Sequence, residues 1–562
     1  MPFLCAAAFA AGNPPDVVYY NGKIITVSAA APVVEAVSIR GNHFVQVGSS
    51  KDVLSTAGPS TKKIDLKGRC VLPGMFENHA HPVMAALAEI DGRLPSMRSI
   101  GDIQAFVRKE AARLAADKTI FVPKVYPSRL KERRYPNRYD LDAAAPGRLV
   151  MCDNHYASVF SSALLAKAGI TRDTAQPSVG KIIKDERGEP TGLIIGAPEY
   201  LVKYRQNRSY THDELLWAIR EMHKEYNKAG ITSVSDRMEG PEGFRAYQEL
   251  WKKGQLTVRT SLTYYIKAQG TPADVAAEVR SVPFVTGWGD EWMRVGPIKT
   301  TVDGGILIGT AYMREPWGPN TQIYGFVDPD YRGVVSIKKE NLFEMVRVAN
   351  ELGWQVTAHA AGGGAVDLML DAYEAADKIK PISGRRFNLM HANFMNARAI
   401  ERAKKLGLIV DSQIAWYHCD ADALHNVFGP ERMAQFVPLR SLMDAGLVVV
   451  GGADHMIKFD SREAANPYNP FYGIWMSVTR KTTGGAVFNP EQCVKREEAL
   501  RMWTINGAYD MFEENIKGSI EPGKLADMIV IDRDLLKCPV DDIKDINVLM
   551  TMVDGKIVYG TL

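Results

Sequence analysis

The chain has 562 residues, 46% hydrophobic and 24% charged, with a net charge of +3 and a pI near 8.3. That is an ordinary globular balance, without the basic stripe that grips nucleic acid. No apolar run approaches the ~20 residues of a membrane-spanning helix. The six cysteines (Cys5, Cys70, Cys152, Cys419, Cys493, Cys538) lie far apart, without zinc-finger spacing, and read as free thiols rather than a disulfide framework.

Residues 3–12 are apolar and end in small side chains, like the tail of a secretory signal, but the basic start of such a signal is missing. Cytoplasmic and exported locations both stay open. After Asn13-Pro14-Pro15 the pattern becomes β. Val17–Tyr20, the turn Asn21-Gly22 and Lys23–Val27 read as a hairpin, because Asn-Gly is the strongest short hairpin signal. Ala36–Arg40, Gly41-Asn42 and Phe44–Gly48 read as a second hairpin. At the other end, Leu525–Asp532 alternates as a strand, and Val548–Val553, Asp554-Gly555 and Lys556–Tyr559 close a hairpin. The expectation is a small β-sandwich built from both termini, residues 13–73 and 518–562.

The centre alternates short apolar strands with amphipathic helices, the α/β signature. Strand candidates are Val71–His81, Gly230–Ser235, Val258–Tyr265, Gly296–Val302, Gln355–His359, Arg386–His391, Leu408–Gln413 and Leu447–Ala453. They fit an α/β fold, a (β/α)8 TIM barrel over residues 74–517. The stretch of about 84–228 is too long for a barrel connection and reads as an inserted cap. It holds a helix over Ile100–Ala116 and a strand over Arg148–Cys152. Its basic cluster Lys131, Arg133, Arg134 and Arg138 reads as a solvated loop face.

Side chains of metal-ligand type stand at or near the ends of several candidate strands. His79 and His81 are two apart, so on a strand both face one side, with Glu77 on the same side. Lys299 lies within Gly296–Val302, where a bare ammonium is costly to bury; a lowered pKa and uptake of CO2 would turn it into an anionic carbamate able to bridge two metals. His359 ends its strand and runs into Gly362-Gly363-Gly364, which lacks the Lys-Ser/Thr of a phosphate loop. His391 ends another, and Asp454 follows Val448-Val449-Val450-Gly451-Gly452-Ala453. Barrel enzymes keep their active sites at the carboxyl ends of the strands. Imidazole and carboxylate suit zinc or another divalent ion, and two such ions can share and activate a hydroxide. Asp454 would shuttle the proton to a leaving nitrogen.

The stretches Leu72–His81, Asp153-Asn154-His155, Ser162-Ala163-Leu164, Gly188–Gly192, Ala229–Val234, Lys299 to Asp303-Gly304, His359–Gly362 and Gly518–Asp527 resemble the amidohydrolase superfamily. They are most similar to its YtcJ-like branch, amidohydrolase family 3, which includes N-substituted formamide deformylases. The resemblance implies a metal-dependent hydrolase with a barrel, a composite sandwich and a dimeric or larger assembly. By position, His79, His81 and Asp454 would bind a first Zn2+. His359 and His391 would bind a second, and carboxylated Lys299 would bridge the pair. The chain departs from the pattern at Glu77 (usually Asp), at Asn154 (usually Gly), at Gly363 (usually Asp) and at Ala453 (usually Ser), positions that bear on substrate choice.

Loops expected to flank the site carry Trp317, Trp416, Tyr417, Tyr472 and Trp475, with His155 and Tyr156 from the cap and His418 and His455 as polar candidates. They suggest a pocket for an apolar or aryl group on a small-molecule amide. The expected reaction is hydrolysis of a C–N amide-type bond (N-acyl, formamide or cyclic amide). Ester or lactone hydrolysis, decarboxylation or hydration on the same scaffold is the alternative, and a metal-free barrel is a third.

Overall fold

The computed structural model describes residues 13–177, 180–204, 209–326 and 328–562. The signal-like segment 3–12 lies outside them. Among the described residues, eight strands form one parallel sheet. In chain order they are β1 (Met75–Ala80), β2 (Ile231–Glu239), β3 (Arg259–Tyr265), β4 (Met293–Thr301), β5 (Val356–Ala360), β6 (Asn388–His391), β7 (Ile409–Ser412) and β8 (Val448–Gly451). Each pairs with its chain neighbour in parallel register from β1 to β8. The strands are almost wholly buried, as expected for a parallel sheet covered by helices on its outer face and filled by side chains within.

The β1–β8 seam is closed at one end only. The Asp454 N–H donates to His79 O at 2.8 Å, and the His81 N–H to His455 O at 2.7 Å. Deeper, the Asn78 amide donates to Gly451 O at 2.7 Å. The Glu77 carboxylate spans the same seam, accepting from the His79 N–H at 3.0 Å and the Ala453 N–H at 2.9 Å. Glu77 therefore holds backbone rather than an imidazole. Gly452 makes room for this: a Cβ there would lie 2.7 Å from His79 N and 2.9 Å from Glu77 Oε1.

Strands from both ends of the chain build two further sheets. One orders His43–Gly48, Ala36–Arg40, Val17–Tyr20 and Lys62–Asp65; the other orders Lys556–Gly560, Val548–Val553, Met528–Ile531, Cys70–Pro73, Lys23–Ile25 and Val33–Val34. Their shared core includes Tyr19, Ile24, Val37, Phe44, Val71, Met528 and Val530. The hairpins Ala36–Gly48 and Val548–Gly560 form. The expected Val17–Val27 hairpin does not. Val17–Tyr20 pairs with Ala36–Arg40 in one sheet, and Lys23–Ile25 pairs with Cys70–Val71 in the other. Asn21, at φ 54°, turns the chain across the sandwich because both strands bury apolar faces in its core. The first barrel strand is also shorter than expected: Cys70–Pro73 belongs to the sandwich, and β1 starts after Gly74.

The insertion after β1 carries the helix Ile100–Arg113 and its own sheet, ordered Lys181–Lys184, Pro190–Ile195, Ala157–Phe160, Val150–Asp153 and Ile120–Pro123. It is fastened to the barrel by Arg129, whose guanidinium pairs with the buried Asp420 carboxylate at 2.7 Å; Ser128 donates to the same carboxylate at 2.6 Å. Among the described residues no helix is long and apolar enough to cross a membrane, and Cys70, Cys152, Cys419, Cys493 and Cys538 are unpaired.

Candidate metal centre

Ligand-type side chains gather at the carboxyl ends of the barrel strands. One ligand atom each from His79, His81 and Asp454 falls within 4.8 Å of the others. The Asp454 Oδ1 lies 3.6 Å from His79 Nε2 and 3.3 Å from His81 Nε2. The His391 ring is 4.8 Å from that of His79 and 4.4 Å from that of His359, centroid to centroid. Lys299, on β4, lines the same cavity as His81, His359, His391 and Asp454. All six sequence candidates are thus brought to one mouth of the barrel.

The imidazoles are oriented by partners that motif spacing did not single out. Asp411, on β7, accepts from His79 Nδ1 at 2.9 Å. Gln413 follows it and accepts from His391 Nδ1 at 2.8 Å, while its own amide donates to Asp411 Oδ1 at 2.7 Å. His359 Nε2 faces Gly304 O at 3.1 Å. A ring nitrogen that donates to oxygen leaves the other with its lone pair, so these contacts select Nε2 of His79, Nε2 of His391 and Nδ1 of His359 as free ligand atoms. His79 Nε2 is buried and has no hydrogen-bond partner. An orphan acceptor facing a carboxylate across 3.6 Å is what a cation between them would satisfy.

The fields in the site favour ligation. Burial pushes His79 and His391 well below the usual imidazole range and His359 to about 4, which keeps their lone pairs available. Burial brings the Lys299 amine down to about 8, against the pull of Asp454. Burial raises Asp454 as well, but its hydrogen bond to His81 and the electropositive neighbourhood of His79, His81 and Lys299 outweigh it and hold the carboxyl below its ordinary value. Burial lifts Asp411 to about 6, opposed first by Arg237, which lies 3.2 Å from it. His391 and Asp454 have left-handed backbones, φ 69° and 56°, a conformation non-glycine residues adopt at a cost of order 1–3 kcal/mol and which clusters at functional sites.

The glycines after His359 serve packing. A Cβ on Gly362 would meet Tyr312 O at 2.1 Å, so the loop after β4 can rest on the start of the helix Gly363–Ile379. Asp303 ties this corner by accepting from the Ala361, Gly362 and Tyr312 N–H groups at 2.9, 2.9 and 2.8 Å.

The cavity above the cluster measures about 130 Å3. Trp416 stacks on His391 at 4.7 Å, and Tyr156 and His155 enter from the cap, so three of the aromatic and polar candidates line it. The other candidates are placed elsewhere. Trp317 is fully buried against Phe428 and donates to Ala311 O at 3.0 Å. Tyr417 donates to Phe488 O under the Arg480 guanidinium, and Trp475 donates to Asp541. His418 lies between Lys481 O and the Tyr472 hydroxyl. His455 pairs with Tyr226 and Lys458 O behind the seam. Asn154, one of the departures from the family pattern, lines it too, and lining residues that the sequence did not flag are Met84, Lys124, Tyr126, Met238, Leu307, Ile308 and Met456.

A model of the amidohydrolase family matches residues 62–559. The N-substituted formamide deformylase of Arthrobacter pascens is 26% identical over 555 residues, covering 97% of this chain and 98% of that protein. The putative amidohydrolase YtcJ of Bacillus subtilis is 26% identical over 552 residues, covering 96% and 99%. An uncharacterized metal-dependent hydrolase from Pyrococcus horikoshii shares the fold, with a TM-score of 0.67 at 21% identity over 93% of this chain and 99% of that one. With a full-length barrel, a cluster of ligand side chains at its mouth and a family match over nearly every residue, the chain belongs to the amidohydrolase family.

Proposed function

We propose that the protein hydrolyses a C–N amide-type bond of a small, apolar or aryl substrate. The observation that carries this reading is the His79–His81–Asp454 cluster, with orphaned His79 Nε2, beside Lys299 and under a cavity of about 130 Å3. The donor set fits Zn2+ or a similar divalent ion: His79, His81 and Asp454 would hold one, and His359 and His391 a second. Such an ion supplies Lewis acidity, polarising a carbonyl and lowering the pKa of water. Lys299 would join the ligand set as a carbamate: its neutral Nζ would add to CO2 and give up a proton to solvent, leaving a group of charge −1. Its burial and its lowered pKa support that chemistry.

The chain's own residues then have defined work. Asp454, held below its ordinary value, is ionised at neutral pH and takes a proton from the attacking water. It passes that proton to the leaving nitrogen, so the amine departs neutral. Asp411 and Gln413 fix the His79 and His391 rings, and the cap residues Tyr126, His155 and Tyr156 wall the cavity on its outer side. The similarity to a formamide deformylase supports an acyl–nitrogen bond as the target.

The test is a panel of N-acyl arylamines, formamides, esters and lactones given to zinc-loaded protein. Amine release in step with acid is expected, with kcat falling about 10²–10⁴-fold in Asp454→Asn. Turnover of esters or lactones with no amide cleaved, or full activity in that variant, contradicts the reading.

A further inference from the structure

The two ends of the cavity are built differently. Across the barrel from β8, the chain leaving β4 makes a tight turn at Ile306–Ile308, where Leu307 and Ile308, each 4% exposed, line the cavity. Three tyrosine hydroxyls hold the carbonyls of this turn. Tyr324 donates to Ile306 O at 3.2 Å, Tyr331 to Gly309 O at 2.9 Å and Tyr135, from the cap, to Ile308 O at 3.2 Å. Aromatic rings stand behind it: a Cβ on Gly309 would lie 2.5 Å from the Tyr324 ring, which packs edge-on to Trp317 at 5.3 Å. A wall tied by its backbone and backed by rings yields little to a larger ligand. The other end is lined by Met84, Met238 and Met456. They come from the helix after β1, from β2 and from the loop after β8, which meet on one side of the barrel. Unbranched thioethers re-pack around different shapes, and Met84 is 40% exposed, so this end opens to solvent. Asp454 stands on the same side, two residues before Met456.

We propose that Leu307 and Ile308 determine specificity: they form a closed stop that admits only a short acyl group, while the methionine end accepts amines of many shapes. The orientation follows from the chemistry. The leaving nitrogen must reach Asp454 to take up its proton, so the amine body lies along Met84 and Met456 towards the opening, and the acyl substituent points the other way. Tyr135 is a positioning residue, holding the stop in place through Ile308 O. This rests on the amide-hydrolase reading and narrows it. One methylene in a hydrophobic pocket of fixed shape changes selectivity by roughly 10–200-fold, whereas an adaptable wall spreads that cost.

Binding separates this claim from the hydrolytic one. Isothermal titration calorimetry on the full, metal-free chain, where amides stay intact, would compare two series. Formanilide, acetanilide, propionanilide and butyranilide lengthen the acyl group; N-phenyl-, N-benzyl- and N-naphthylmethylformamide enlarge the amine. At one step of the acyl series an added carbon is expected to cost about tenfold or more in affinity, while the amine series stays within about threefold. Ile308→Ala should move the acyl step outward by at least one carbon. Tyr135→Phe, which removes only a hydroxyl, should shrink it, and both variants should leave the amine series unchanged. An acyl series without a step, or an amine series as steep, overturns the proposal on the parent chain alone, whatever a variant's folding. So does a step that stays put in a folded Ile308→Ala chain or keeps its height in Tyr135→Phe, and so does the absence of measurable binding by every member. A step in binding with no amide cleaved by the zinc-loaded enzyme would sink the hydrolytic reading and leave the stop standing; cleavage indifferent to acyl length would do the reverse.

Discussion

At the scale of single residues, the site depends on side chains that never touch a substrate. Asp411 holds His79 by its Nδ1, and Gln413 joins that contact to His391. Removing a partner of this kind typically lowers metal affinity 10–100-fold. Asp411→Ala should therefore lose zinc to a competing chelator at a concentration about that much lower than the parent, with the helical circular dichroism intact. Unchanged affinity would show that His79 needs no support. His223 makes a separate, pH-dependent prediction away from the metal cluster. Burial pulls its pKa to about 3, from an ordinary 6.5. The folded state keeps this imidazole neutral, whereas the unfolded chain protonates it below pH 6.5. Its contribution is whole above that pH and is lost progressively as pH falls from 6.5 towards 3, with a slope of up to about 1.4 kcal/mol per unit. His223→Phe should flatten that part of a denaturation-against-pH curve; an identical slope would contradict the assignment.

At the scale of elements, the strand ends carry the chemistry and the close packing carries the strand ends. Gly452 sits where a Cβ would press on His79 N and Glu77 Oε1 at 2.7 and 2.9 Å. Gly452→Ala should cost about 1–3 kcal/mol by overpacking, read as a lower urea midpoint, and should also depress zinc occupancy because the displaced atoms belong to His79. A stable, fully loaded variant would argue against the seam as the mounting of the site. The same scale shows what the sequence discloses. His79, His359, His391 and Asp454 were legible because a polar residue at or near the end of a short, largely apolar run marks a strand's carboxyl end. Asp411 follows Ile409-Val410 and had that same signal, but nothing nearby in sequence pointed to His79, 332 residues away. Asn21-Gly22 misled because hairpin chemistry is local, while the choice between sheets belongs to the sandwich core. The aromatics divided for a similar reason: composition places a Trp near the barrel mouth, and only packing decides that Trp416 meets His391 while Trp317 meets Phe428.

At the scale of the whole molecule, two parts of the fold, barrel and cap, make one pocket. The barrel brings the ligand side chains, the cap brings Tyr126, Asn154, His155 and Tyr156, and the Arg129–Asp420 pair straps cap to barrel. The sandwich is joined through Arg259, fully buried and paired with Asp527 at 2.7 Å. Breaking the strap should act on substrate rather than metal: Arg129→Met is expected to raise KM about tenfold or more with zinc content unchanged, since small misplacements of a binding wall are costly. Loss of zinc in that variant would place the cap's role elsewhere.

The central claim is that six side chains gathered at the barrel mouth hold divalent metal. Anomalous diffraction at the zinc edge from crystals of zinc-loaded protein tests it directly. One peak is expected among His79 Nε2, His81 and Asp454 and a second beside His359 and His391, with density for a carboxylated Lys299 between them. Strong zinc peaks elsewhere, with this cluster free of metal, would contradict it.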